Sequence, residues 1–269
     1  MNFAEVANDS KVDRATTPRF GLAREFIRLW RLTRFRLARG ERPWLGVAMA
    51  LATCLVAIFL HFHILRPELW RSGNVYAALP LTSELARLPM SFFLPTAYLP
   101  LWAACVQLVV VIGLGELILG RWLTIVVAMV GHFGATLFAR VLLESVHNHF
   151  FGFVPVLLHG VDTGPSAATT AVGACLLVAV KMNRSALVLI VSLVGAAIIT
   201  RGVDGVEHTT ALVIGLAAGV LDYLVISRFS ETREHSLREQ WVVRLTWFAR
   251  IAKSTRRVVA GLLVRTDPR

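Results

Sequence analysis

The chain has 269 residues, 56% of them hydrophobic, and a mean hydropathy of +0.64. That is too apolar for an ordinary soluble domain and fits a polytopic membrane protein. The formal net charge of +11 does not make it a nucleic-acid binder: the basic residues crowd into two tails flanking the apolar core, the pattern of cytoplasmic segments facing anionic lipid.

In chain order, residues 1–43 form a basic tail with Lys11, Arg14, Arg19, Arg24, Arg28, Arg31, Arg34, Arg36, Arg39 and Arg42. Within it, Ala23, Phe26, Ile27, Trp30 and Leu37 share one helical face, with arginines opposite. This predicts an amphipathic helix on the membrane surface, the rival being a partner-binding helix. No cleavable signal peptide is expected, because the first apolar run starts only near Trp44 and lacks a small-residue cleavage site.

Six spans are predicted, at 44–63, 97–119, 122–143, 165–181, 185–200 and 208–227, the fifth short enough to be tilted. The turns at Arg121 and at Lys181–Arg184 and the tail from Arg228 are basic, whereas 64–96, 144–164 and 201–207 carry only Arg66, Arg71, Arg87 and Arg201. The positive-inside rule therefore predicts a cell-membrane, multi-pass protein with both termini cytoplasmic. The domain plan is a basic tail (1–43), a six-helix membrane domain (44–227) and a second basic tail (228–269). In the last, Leu237, Trp241, Leu245, Phe248 and Ile251 predict another amphipathic helix. Anionic lipid is the partner expected at both tails.

The fourth and sixth spans carry the candidate chemistry. Both run from outside to inside, so Ser166, in "GPSA" at 164–167, and His208, in "GVEHTTALVIGLAAG", lie near the same face. A serine and a histidine at one depth can form a nucleophile–base pair. Asp162 or Thr163 can cap the fourth helix, with Pro165 in its first turn. The Ser166 N–H then lacks a partner inside the helix and could face an oxyanion. Taken alone, Ser166 fits equally a packing seam with Gly164, Ala167, Ala171, Gly173 and Ala174.

These features resemble the rhomboid family of intramembrane serine proteases. The resemblance rests on Gly164 and Ser166, on His208 followed by Ala211 and Gly215, on Glu116 and Gly120 in "GELILGRW", and on Arg87 in the first outer loop. It implies an all-α, six-helix rhomboid-like bundle over residues 44–227, with basic amphipathic helices at both ends. It also implies a Ser166–His208 dyad, with backbone at Gly164 and Ala167 supporting the oxyanion, and a transmembrane-helix substrate. Arg87, Glu116, Gly120 and Gly215 are implied as scaffold. Two departures stand out: Ala167 replaces the motif's second glycine, and Pro100 and Ala104 occupy the positions of the family's His-x-x-x-Asn oxyanion donors. Removing one such donor typically costs about 3–4 kcal/mol of transition-state stabilisation. Two functions stay open: an intramembrane serine protease with a weakened oxyanion site, and a catalytically inactive relative that binds transmembrane helices as clients. A transporter is disfavoured because no pair of broken spans occupies corresponding halves.

No metal or cofactor is expected. His147 and His149 offer too few convergent ligands, and "ESVHNHFFGF" at 144–153 is read as an interfacial loop, with His159 able to approach the cavity mouth. His132, mid-span and flanked by glycines, is expected to hydrogen-bond between helices. Glu207 adjoins His208 but points ~100° away on a helix. Cys54, Cys105 and Cys175 are expected to be free core thiols, lacking disulfide or metal-ligand spacing.

Overall fold

A computed structural model describes residues 21–64, 66–75, 79–94, 100–149, 164–200 and 203–230. The second amphipathic tail, 234–253, and the residues Asp162, Thr163 and His159 lie outside them. The described residues are helical, without a strand. The helices are α1 (Gly21–Ala38), α2 (Trp44–His61), α3 (Arg66–Gly73), α4 (Leu81–Ser91), α5 (Leu101–Ile118), α6 (Arg121–His149), α7 (Ser166–Ala179), α8 (Asn183–Thr200) and α9 (Val203–Ser230). One compact unit ends at Val220; residues Leu221–Ser230 of α9 belong to a second unit reaching Arg269.

Three helices, α2, α5 and α6, are long and apolar enough to cross a membrane. Their outward faces carry Leu51, Leu55, Ile58, Trp102, Val106, Trp122, Val126 and Val130, all exposed. Apolar side chains of this size remain uncovered where the surrounding solvent is hydrocarbon. The predicted boundaries shift in three places. The loop 64–96 holds two helices, α3 and α4. Residues 144–149, read as loop, extend α6. And α9 begins five residues before His208, which puts that residue in the second turn.

Besides the fifth span, whose apolar stretch runs over Asn183–Ala196, α7 is also short: 14 residues, or about 21 Å. Its environment accounts for this. Ala167, Ala168, Ala171, Val172, Ala174 and Cys175 are buried, so protein surrounds α7 and it need not match the hydrocarbon thickness. Small residues make this possible. A Cβ on Gly131 of α6 would lie 2.3 Å from the Ala171 side chain, and one on Gly215 of α9 would lie 2.1 Å from the Ala171 carbonyl oxygen. Both helices press on one alanine, as small-residue seams allow.

One end of the bundle is tied by polar caps. Glu116, near the end of α5, accepts a hydrogen bond from the Leu45 N–H at the start of α2 (2.5 Å) and pairs with Arg121 (2.7 Å). Its carboxylate thus satisfies a helix N-terminus that Pro43 cannot cap through a side chain. Gly120, at φ +88°, makes the turn into α6 in a backbone conformation that favours glycine. At the same end Glu25 of α1 accepts bonds from the N–H groups of Arg184 and Ser185 and from the Ser185 hydroxyl, capping α8. Arg28 of α1 donates to the Val180 carbonyl at the end of α7 (3.4 Å). Burial opposes ionisation of Glu25, but the Ser185 hydroxyl, the two backbone donors and the Arg184 charge outweigh it and hold the carboxyl below its ordinary value. Phe26 and Trp30 of α1, about three-fifths exposed, are left uncovered.

Candidate functional site

The first turn of α7 starts from a glycine. Gly164, at φ +111°, donates its N–H to the Ser91 carbonyl (2.8 Å), and Pro165 takes the N-cap position without a side-chain cap. Asp162 and Thr163, the caps expected from the sequence, lie outside the described residues. Ser166 is the first residue of α7 and half-buried; Ala167 and Ala168 behind it are buried. Their N–H groups precede the first intrahelical bond, so they have no carbonyl partner within α7.

Two close approaches fix the register of α9 on α7. A Cβ on Gly215 would meet the Ala171 backbone at 2.1 Å, and one on Gly219 would meet the Cys175 carbonyl oxygen at 2.8 Å. The two partnerships are separated by the same 44 residues, so the helices run parallel. One turn earlier the same register faces Ala211 toward Ala167, both buried. His208 lies about one turn before Ala211, beside Glu207, which continues the buried row of Ala211 and Gly215. The Cα of His208 is then level with Gly164, about 3 Å nearer the N-terminal end of α7 than that of Ser166. Ser166, preceding Ala167, is turned about 100° from the contact line.

The His208 ring is half-buried, and its Nδ1 lies 2.5 Å from the Asp204 carbonyl oxygen one turn earlier. A carbonyl only accepts, so Nδ1 carries the proton. In the neutral ring Nε2 is then the basic nitrogen. No hydrogen bond joins Ser166 to His208 among the described residues. Ser166 and His208 thus share an end of two packed helices, in a tautomer suited to a base, without direct engagement. Glu207 is buried and so faces away from the more open side where the ring sits. Pro100 is the N-cap of α5 and Ala104 is fully buried, so neither supplies a donor.

The interhelical hydrogen bond expected of His132 is present, and its partner, which sequence reasoning did not name, is a serine. His132 of α6 is fully buried, and its Nε2 lies 2.9 Å from the Ser91 hydroxyl at the end of α4. Ser91 donates that hydroxyl to the Leu88 carbonyl (2.8 Å), so it accepts from His132. Phe92 stands edge-on to the imidazole, 5.4 Å between ring centroids. Two turns further along α6, Arg140 pairs with buried Glu84 of α4. His132, Thr136 and Arg140 recur every four residues, and this spacing was the available signal; the α4 partners of His132 and Arg140 lay in a stretch that read as loop. Arg87 donates to the Asn74 carbonyl (3.1 Å), fastening α4 to the chain leaving α3.

All three cysteines are free thiols, as expected. Cys175 is buried on α7, while Cys54 of α2 and Cys105 of α5 bring their Sγ atoms to 3.1 Å. No group of three or more metal-ligating side chains occurs among the described residues. No protein-family model, curated protein or solved structure matches the chain.

Proposed function

We propose that this is a rhomboid-like, six-span membrane protein that holds a transmembrane helix near its outer face and cleaves it slowly through Ser166 and His208. The observation that carries the reading is the parallel, backbone-close packing of α9 on α7, with the two residues about half a turn apart along the axis at one end. In this mechanism Nε2 of His208 takes the Ser166 proton as the hydroxyl attacks a peptide carbonyl. The Nδ1–H bond to Asp204 steadies the ring. Backbone N–H groups of Ser166 and Ala167 receive the oxyanion. The absence of side-chain donors at Pro100 and Ala104 makes turnover slow.

The proposed topology has both termini cytoplasmic. Its support is twofold. The basic loops fall on one side by charge count, and the contacts of α1 with residues 180–185 gather two of those same segments at one end. Exposed Phe26 and Trp30 beside the α1 arginines suit an interface of anionic lipid. A second reading, a non-catalytic holder of transmembrane clients, is favoured specifically by Pro100 and by the burial of Ala104.

The test uses a fluorescent transmembrane peptide reconstituted with the protein in liposomes. Photo-crosslinking reports binding, and gel mobility reports cleavage. Slow cleavage lost in Ser166→Ala, with crosslinking retained, supports the protease. Crosslinking without cleavage in either form supports the holder. Absence of crosslinking, or cleavage indifferent to Ser166→Ala, contradicts both.

A further inference from the structure

We infer that Cys54 and Cys105 form an oxidisable dithiol, open to the lipid phase, whose oxidant is a lipid-soluble quinone. Three observations carry this. The Sγ–Sγ separation of 3.1 Å is closer than two unbonded sulfurs normally sit, and about 1 Å of further approach makes a disulfide. The helices are held together independently of the thiols. A Cβ on Gly46 of α2 would meet the Leu108 carbonyl oxygen and Gly113 N at 2.9 and 2.8 Å, where α5 loosens into one π turn at Leu108–Ile112. And both cysteines are half-buried, whereas Cys175 is fully buried.

The surroundings select the oxidant. Leu51, Leu55 and Ile58 flank Cys54, and Trp102, Val106 and Val109 flank Cys105; all six are exposed apolar side chains. Both thiols sit within helices long and apolar enough to cross a membrane. Glutathione is charged and does not enter hydrocarbon, so it neither oxidises nor reduces this pair readily. A quinone dissolves there. In the reaction both S–H bonds break and one S–S bond forms. The two electrons and two protons released reduce the quinone to its hydroquinone. The product ties the first apolar helix to the second.

The experiment treats the full-length protein in phospholipid nanodiscs with decylubiquinone, whose fully substituted ring has no open position for conjugate addition of a thiol. Denaturation and N-ethylmaleimide labelling follow, with intact-mass and peptide mapping. The expected result is a fall from three maleimide adducts, one per cysteine, to one. The unlabelled protein should be about 2 Da lighter, with a peptide joining Cys54 to Cys105. Cys54→Ser and Cys105→Ser should each keep both remaining adducts, and Cys175→Ser should still form the bond. Oxidation should run about tenfold faster with the quinone than with equimolar oxidised glutathione, which hydrocarbon excludes. Three retained adducts, or a linkage through Cys175, would overturn the proposal. Equal rates with the two oxidants would overturn its lipid-phase access. The wild-type measurement stands even if a serine variant fails to fold.

Discussion

Two serine–histidine arrangements occur in this molecule, and they differ in every respect that matters for chemistry. Ser91 and His132 are fully buried and hydrogen-bonded at 2.9 Å, with the serine proton committed to the Leu88 carbonyl. Ser166 and His208 are half-buried and unbonded to one another, and the imidazole proton is held on Nδ1 by Asp204. The first arrangement is complete and closed: the histidine donates, so it cannot also remove the serine proton. The second is incomplete and open, as nucleophile–base pairs often are without substrate. A short Ser–His distance therefore says less about catalysis than the tautomer and the exposure do.

The comparison breaks most severely at Gly215. A methyl there meets the Ala171 carbonyl oxygen at 2.1 Å, and backbone cannot step aside as a side chain would. Gly215→Ala should destabilise the bundle by at least the ~1–3 kcal/mol of ordinary overpacking and abolish reactivity at Ser166. Thermal unfolding in detergent checks the first effect and active-site labelling the second. An unchanged unfolding midpoint would mean that α9 does not sit on α7 as described.

A cost at least as large in stability, without the loss of reactivity, belongs to the Glu84–Arg140 pair, close to the buried histidine on the same two helices. Arg140→Ala leaves a buried carboxylate and should cost about 3–5 kcal/mol; replacing both partners with apolar residues should recover much of it. A smaller effect, about 1–3 kcal/mol, is expected for Ser91→Ala, which strands a buried imidazole N–H. His208→Ala should leave the unfolding midpoint nearly unchanged while removing Ser166 reactivity. If Ser91→Ala removed reactivity and His208→Ala did not, the roles assigned to the two arrangements would have to be exchanged.

The smallest effect concerns the α1 clamp and its pH dependence. The Glu25 carboxyl is held below its ordinary value of 4.5, so the unfolded chain binds its proton more readily than the folded one. Its stabilising contribution is present above that ordinary value and is lost as the pH falls below it, through the lowered one. Hydrogen exchange over residues 21–38 should accelerate in this acid window and, at neutral pH, in Glu25→Gln. Exchange equal to wild type in Glu25→Gln at neutral pH would show that the carboxylate does not hold α1.

Much of the fold was legible because hydropathy reports on single segments. The apolar cores of α2, α5 and α6, the amphipathic α1 and the turn at Gly120 follow from composition and local backbone demands. The small residues of α7 foretold its enclosure. What escaped the sequence were partnerships across the chain. Glu25 finds Ser185, Cys54 finds Cys105 and Ser91 finds His132 through packing that no local period encodes. The helices α3 and α4 were hidden for a related reason: a short polar helix stabilised by Arg87–Asn74 and Glu84–Arg140 has little intrinsic signal of its own. At the candidate site, shared depth was readable from the order of the spans. The Nδ1 bond to the Asp204 carbonyl was not, because it depends on α9 beginning a full turn before His208.

The difference between the two serines is tested most directly by an activity-based fluorophosphonate. The purified protein is labelled in detergent, and the modified serine is identified by peptide mapping. Slow modification at Ser166, absent from Ser91 and lost in His208→Ala, is the expected result. Modification at Ser91, or labelling of Ser166 that is indifferent to His208→Ala, would contradict the assignment of Ser166 and His208 as the reactive pair.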